Sequence, residues 1–225
     1  MKPIKISRSK IELFLDCPRC FWLEVKKKIK RPEKFTATHL GNKYDPFLKK
    51  VFDEYRRQNK KPKELEEFDF ELYKDYQKLE IWRKKGVEYF HPEHKIIYYG
   101  EIDDLLIKEN KYLIPFDFKT TLSKEFQVYE SYKRQLEIYG YLLKKQGEEV
   151  LNLGVFYVVR VDINENFEKI EERKIVILEN LNYEIYDEVL EKLKETYFSL
   201  QEPEPSENCP FCLRDFQIKN LYKNE

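Results

Sequence analysis

The sequence predicts an α/β protein in which one mixed β-sheet is flanked by helices, an αβα arrangement. Three observations carry this. Apolar side chains in residues 1–90 recur mostly at helical spacing. Near residue 95 the pattern changes to strand-like runs, KIIYYGEIDDLLIK and then KYLIPFDFKTT. Beyond residue 129, helical and strand patterns follow one another to residue 200. The 225 residues suffice for one domain with a sizeable core. Within residues 1–225 we distinguish a basic helical region (1–90), a sheet-bearing core (91–200) and a cysteine-bearing tail (201–225).

Taken in order, Ser7 or Ser9 can cap a first helix with Ile11, Phe14 and Leu15 on its apolar face, ending near Asp16 ahead of Pro18. Residues 24–37 (EVKKKIKRPEKFTA) read as a basic loop. A second helix spans residues 40–58, with Tyr44, Phe47, Leu48, Val51 and Phe52 at helical spacing. After the KKPKE turn, an acidic, aromatic stretch is expected to be helical as far as Lys85. Residues 95–108 and 111–121 are predicted strands joined by a turn at Glu109-Asn110. Residues 129–146 form an amphipathic helix stopped by Gly147. Residues 151–161 and 173–179 are further strands, 183–200 a closing helix, and QEPEPSENCPFCLRDFQ a proline-rich loop. There is no internal repeat.

Charged residues make up 37% of the chain and aromatics 16%, a soluble, globular composition. The net charge of zero conceals a split: residues 1–63 hold 19 Lys and Arg against 7 Asp and Glu, and the remainder is correspondingly acidic. Such a split suits either a lysine-rich helix surface or an arm that tracks phosphates beside a body that holds divalent cations. The longest apolar run, residues 153–159, is too short to span a bilayer, so no membrane partner is expected. MKPIKISRSKIELFL lacks the apolar segment of a signal peptide and the character of a transit peptide. The expected compartment is the reducing cytoplasm, where cysteines serve as metal ligands or free thiols.

The stretch IPFDFKTT raises a chemical question. Strand side chains alternate, so Asp117 and Lys119 share one face and Phe116 and Phe118 the other. Burying such a pair costs several kcal/mol unless something offsets it. If the turn pairs residues whose numbers sum to about 219, Asp117 faces position 102, beside Asp103. Two adjacent carboxylates repel unless a divalent cation lies between them, and oxygen-only ligation suits Mg²⁺ or Mn²⁺. A neighbouring lysine can orient or deprotonate an attacking water and neutralise charge at a phosphoryl centre. A buried ion pair alone would account for Asp117 and Lys119, but not for Asp103 or for the following helix. There, Gln135 and Tyr139 stand at i and i+4. Gln135 reads either as a surface neighbour or as a group that holds a nucleic-acid strand or a water, with Tyr139 packed beneath it.

G-x-x-D, then D-x-K-T about a dozen residues on, then Q-x-x-x-Y on the next helix resembles the signature of PD-(D/E)XK nucleases of the RecB type, including AddB nuclease domains and CRISPR-adaptation exonucleases. SRSKIELFLDCPRCFW is similar to that group's opening helix, and the motifs run from Ser7 to Cys212. The resemblance implies a restriction-endonuclease-like core, Mg²⁺ or Mn²⁺ dependence and cleavage of DNA. It places Asp103 and Asp117 as metal carboxylates, the Phe118 carbonyl as a further ligand, Lys119 as the catalytic lysine, and Gln135 and Tyr139 as the last motif. There is one departure. These nucleases carry a histidine four residues after a glycine on the helix before the sheet; in GNKYD that position is Asp45, a third, harder ligand or an exposed helix residue. His91 and His94 receive no role.

The cysteines come as C-P-R-C (Cys17, Cys20) and C-P-F-C (Cys209, Cys212), a tetrathiolate pattern that would fasten the two ends of the chain. Chemistry alone favours Zn²⁺. The resemblance favours a [4Fe–4S] cluster, which is the expectation here with Zn²⁺ as the alternative, although family members join one N-terminal cysteine to three near the C-terminus, so Cys20 departs from their pattern. The expectation is a metal-dependent DNase acting on single strands or ends by in-line attack of water. The alternative is a catalytically impaired DNA-binding module of a repair or defence complex. No helicase motif is present, so any motor would be a separate chain.

Overall fold

A computed structural model describes residues 3–32, 38–163 and 169–213. Alternating apolar residues build two mixed sheets rather than one. In the smaller, β1 (Ile4–Ser7) runs parallel to β4 (Ile96–Gly100), and β3 (Val87–His91) pairs antiparallel with β4 on its other side. In the larger, the order is β2 (Glu71–Leu72), β5 (Asp104–Lys108), β6 (Tyr112–Thr121), β7 (Leu153–Ile163), β8 (Lys169–Glu179). β6 and β7 are parallel, and the crossover between them is helix α5 (Glu130–Lys145). The remaining helices are α1 (Arg8–Asp16), α2 (Pro18–Trp22), α3 (Thr38–Arg57), α4 (Tyr76–Lys85) and α6 (Ile185–Phe198).

The larger sheet is the middle layer. On one face Phe116, Phe118 and Tyr157 pack around Phe52 of α3, with ring centroids 4.9–5.4 Å from it. On the other, Leu136 of α5 and Phe156 of β7 join a core shared with α1, α6 and the smaller sheet. Gly140 lets α5 approach the segment before α6. A Cβ there would stand 2.3 Å from the Tyr183 ring, whose hydroxyl donates to Leu151 and Leu153 carbonyls at 2.6 and 3.1 Å.

Three expectations are corrected. Residues 95–108 are two strands, because β4 ends at Gly100 in one sheet and β5 begins at Asp104 in the other. This break is what divides the expected single sheet. Alternation continues through YYGEIDDLLIK, and period two carries no information about which sheet a strand joins. The stretch before Lys85 is helical only at Lys63–Leu65 and in α4. Between them Phe68, Phe70 and Leu72 recur every second residue, a strand period, and Phe70 and Leu72 are buried. IKIS, too short for its own periodic signal, forms β1. The Glu109-Asn110 turn is present, both residues at left-handed φ (55° and 54°), and the Lys111 amide donates to the Lys108 carbonyl at 3.1 Å; because Lys108 pairs with Tyr112, the loop holds three residues, one more than the sequence suggests. Within the basic loop expected at 24–37, the first residues instead belong to a π-helical turn, Leu23–Lys27, that continues α2, and residues 33–37 lie outside the described residues.

Candidate active site and cysteine centre

The hairpin turn sets the chemistry. Its ladder pairs Asp104 with Phe116, so numbers sum to 220, one more than the sequence suggests; the next step sets Asp103 opposite Asp117. Asp117 is fully buried, and its carboxylate forms an ion pair with Lys119 on the same face. From α5, Gln135 donates through Nε2 to Asp117 Oδ1 at 2.6 Å and to Tyr139 Oη at 3.2 Å, while its Oε1 accepts from Lys119 Nζ at 3.0 Å. Gln135 is therefore a buried crosslink, not a surface neighbour. Tyr139 is buried under it and explains the glycine of G-x-x-D: a Cβ on Gly100 would stand 3.0 Å from the Tyr139 ring. Phe118 turns its ring to the α3 side.

Helix α3 brings Asp45 to the same corner. Lys49, one turn on, donates to Asp45 Oδ2 at 2.8 Å and lies 2.8 Å from Asp103 Oδ1. Asp45 Oδ1 is buried and has no hydrogen-bond partner among the described residues. Burial and the Asp103 charge raise the Asp45 carboxyl above its ordinary range. They raise Asp117 far more strongly. Burial would lift Asp103 too, but the hydrogen bond from Asp117 and the Lys49 charge more than offset it and hold Asp103 low. The two carboxyls are thus pushed apart, Asp103 the more acidic and Asp117 the less. Lys119 lies 4.7 Å from the Tyr132 ring centroid and 5.4 Å from that of Phe156, two neighbours the sequence did not single out. Past it, a cavity of about 280 Å³ is lined by Thr120, Thr121, Phe126, Tyr129 and Tyr132 among others.

The second aspartate of GEIDD has a different task. Asp104 points into a quartet with Asp53, Arg56 and Arg83. Arg56 Nη2 pairs with Asp104 Oδ1, and Arg83 Nη2 donates to Oδ2 at 2.8 Å. Asp53 accepts from Arg56 at 2.7 Å and from Arg83 at 2.9 and 3.0 Å. Arg83 Nε also donates to the Asp103 carbonyl at 2.7 Å. One guanidinium thus fixes the backbone that carries Asp103. Sequence reasoning missed Lys49 and this quartet; the only signals were Asp45-x-x-x-Lys49 and Asp53-x-x-Arg56 on one helix.

At the far end of α1, the four cysteines meet. No disulfide joins them, and all are buried. Cys17 Sγ lies 3.8 Å from Cys212 Sγ, and Cys20 Sγ lies 3.5 Å from Cys209 Sγ and 3.6 Å from Cys212 Sγ. Arg31 donates toward Cys209 Sγ at 3.7 Å and covers the Phe211 ring. Burial raises the Cys20 thiol to about 11. At Cys17 burial is outweighed by the backbone amides of Cys20 and Ser206, which bring it to about 7.

A mixed sheet presenting paired carboxylates and a lysine at two adjacent inner strands, backed by a glutamine-bearing helix, has the frame of a nuclease. The sequence model of the PD-(D/E)XK nuclease superfamily matches residues 72–215, and the chain belongs to that superfamily. Among solved structures, the chain is similar to a protein from Eubacterium rectale named "Putative exonuclease", at 14% identity and a TM-score of 0.50, over 94% of this chain and 88% of that one. That likeness concerns the fold. SSO0001 is similar at 17% identity and a TM-score of 0.44, over 94% of this chain and 84% of that one. No curated protein matches. Among the described residues no helix is long and apolar enough to cross a membrane.

Proposed function

We propose that the chain is a divalent-metal-dependent deoxyribonuclease of the RecB-like type, acting on single strands or DNA ends. The observation that carries this is the convergence of Asp45, Asp103, Asp117, Lys119 and Gln135 on one corner. The donor set fits Mg²⁺ or Mn²⁺: it is all oxygen, it includes the unpartnered Asp45 Oδ1, and the Lys49 ammonium already bridges Asp45 and Asp103 as a cation would. Asp45, Asp103, Asp117 and the Phe118 carbonyl would hold the ion, which when bound supplies Lewis-acid polarisation of phosphate and water. Lys119, steered by Gln135 and two aromatic faces, presents its charge to the phosphate under attack. Tyr139 supports Gln135 from below. Tyr129, 56% exposed, offers a base-stacking face beside the adjoining cavity. Incubating a labelled single-stranded oligonucleotide with Mn²⁺ tests the proposal. Products support it; binding without products supports the impaired-module alternative, whose one specific support is Asp45 in place of histidine.

For the cysteine centre, the sulfur separations support Zn²⁺ over the [4Fe–4S] cluster that the resemblance implies. Four thiolates about 2.3 Å from one ion stand ~3.8 Å apart, close to the spacing here, whereas a cubane puts an iron under each sulfur and spreads them. Colourless protein with one equivalent of zinc is the expected result; brown protein with stoichiometric iron rejects it.

A further inference from the structure

The turn closing β3 onto β4 carries a second set of ligating side chains that the acidic corner does not use. His91 ends β3 opposite Ile96, and the Lys95 amide donates to the His91 carbonyl at 2.9 Å. Lys95 takes left-handed φ (55°), which folds the turn back on itself. His94 is thereby laid over His91, ring centroids 3.4 Å apart and planes 7° from parallel. His94 is buried at 6% exposure, under α6. Its Nδ1 is 3.4 Å from Tyr98 Oη. Its Nε2 touches the Glu191 carboxylate and is also 3.0 Å from Lys194 Nζ. His91 Nδ1 is buried without a hydrogen-bond partner among the described residues. One ligand atom from each of His91, His94 and Glu191 lies within 4.8 Å of the others.

These contacts conflict as they stand. Facing a carboxylate, Nε2 of His94 needs its proton; facing an ammonium, it needs its lone pair. One nitrogen cannot serve both, and the buried His91 nitrogen serves nothing. A metal cation accepts all three donors at once. We propose that His91, His94 and Glu191 form a binding site for a divalent transition metal of the zinc class, which takes the place of the Lys194 ammonium. Two imidazoles and one carboxylate suit Zn²⁺ and disfavour Mg²⁺. Bonds of ~2.0–2.2 Å lie in the plane of each imidazole and require the donors to close to ~3.4 Å, so the stacked rings must tilt apart as the ion enters; His91, half-buried at the end of β3, and the Glu191 side chain, 44% exposed, are the groups that make that movement. An ion there clips the β3–β4 turn to α6, the helix that leads into the second cysteine pair.

The test uses the full-length protein as purified, dialysed against buffered zinc with excess Mg²⁺, comparing wild type with His91→Ala, Glu191→Gln and Lys194→Met. The cysteine centre and the acidic corner are common to all four, so differences report this site. His91→Ala and Glu191→Gln are expected to hold one zinc equivalent fewer than wild type. Lys194→Met, which removes the competing cation, is expected to bind that equivalent ~10-fold more tightly. Both altered residues at Glu191 and Lys194 are partly exposed, and circular dichroism verifies the fold of each variant. Equal zinc in wild type and His91→Ala, or unchanged affinity in Lys194→Met, overturns the proposal.

Discussion

Replacing Arg83 with alanine removes more than one ion pair. The side chain is 5% exposed, and it makes hydrogen bonds to Asp53, to Asp104 and to the Asp103 carbonyl. Asp53, Asp104, Arg56 and Arg83 form a neutral quartet; without Arg83 two carboxylates share one guanidinium, and Asp104 is fully buried. Breaking a buried pair by deleting one partner costs ~3–5 kcal/mol. With a urea slope of ~3 kcal/mol/M for a chain of this size, the unfolding midpoint should fall by ~1–1.7 M. A second effect acts on chemistry. The Asp103 backbone loses its anchor, and a displacement of ~1 Å at a reacting group can cost ~10²-fold in rate. Urea unfolding followed by circular dichroism measures the first effect, and oligonucleotide cleavage by the folded fraction measures the second. Neutralising Asp104 as well should recover part of the loss, giving a coupling of at least ~1 kcal/mol between Arg83→Ala and Asp104→Asn. An unchanged midpoint in Arg83→Ala, or strictly additive losses in the double variant, refutes the reasoning.

Three further outcomes are expected. Asp45→Ala removes one oxygen donor and should raise the Mg²⁺ concentration needed for half-maximal cleavage ~10-fold or more, measured by titration. Gly140→Ala drives a methyl into the Tyr183 ring; overpacking of ~1–3 kcal/mol should lower the thermal midpoint by several degrees, measured by calorimetry. Cys209→Ser breaks up the four-cysteine cluster and should lower the metal content of the purified protein and its thermal midpoint together.

Much of the site was legible because its logic is local. The period-two face of IPFDFKTT set Asp117 with Lys119, the turn at Glu109-Asn110 set Asp103 beside them, and helical spacing stacked Gln135 on Tyr139. Turn placement cost one residue of register. The cysteine pairs announced their meeting by spacing alone. What stayed hidden depends on tertiary choice. The break at 101–103 follows from which neighbour each strand finds, so one alternating run became inner strands of two different sheets. Of two adjacent aspartates, Asp103 turns to the acidic corner and Asp104 to a pair of arginines, one on each of two helices, a division no pattern in GEIDD encodes. Lys49 was missed because its partners lie on its own helix and 54 residues further along the chain. The residues 95–108 and 66–75 failed for opposite reasons, one through a pattern that continued too long and the other through a short strand period inside a charged segment.

The central claim is that the acidic corner cleaves nucleic acid, and the most direct measurement is cleavage of 5′- and 3′-labelled single-stranded oligonucleotides in Mg²⁺ and in Mn²⁺ by wild type, Asp117→Ala and Lys119→Ala. The account predicts metal-dependent products from wild type and none from either folded variant. Full activity in both variants contradicts it.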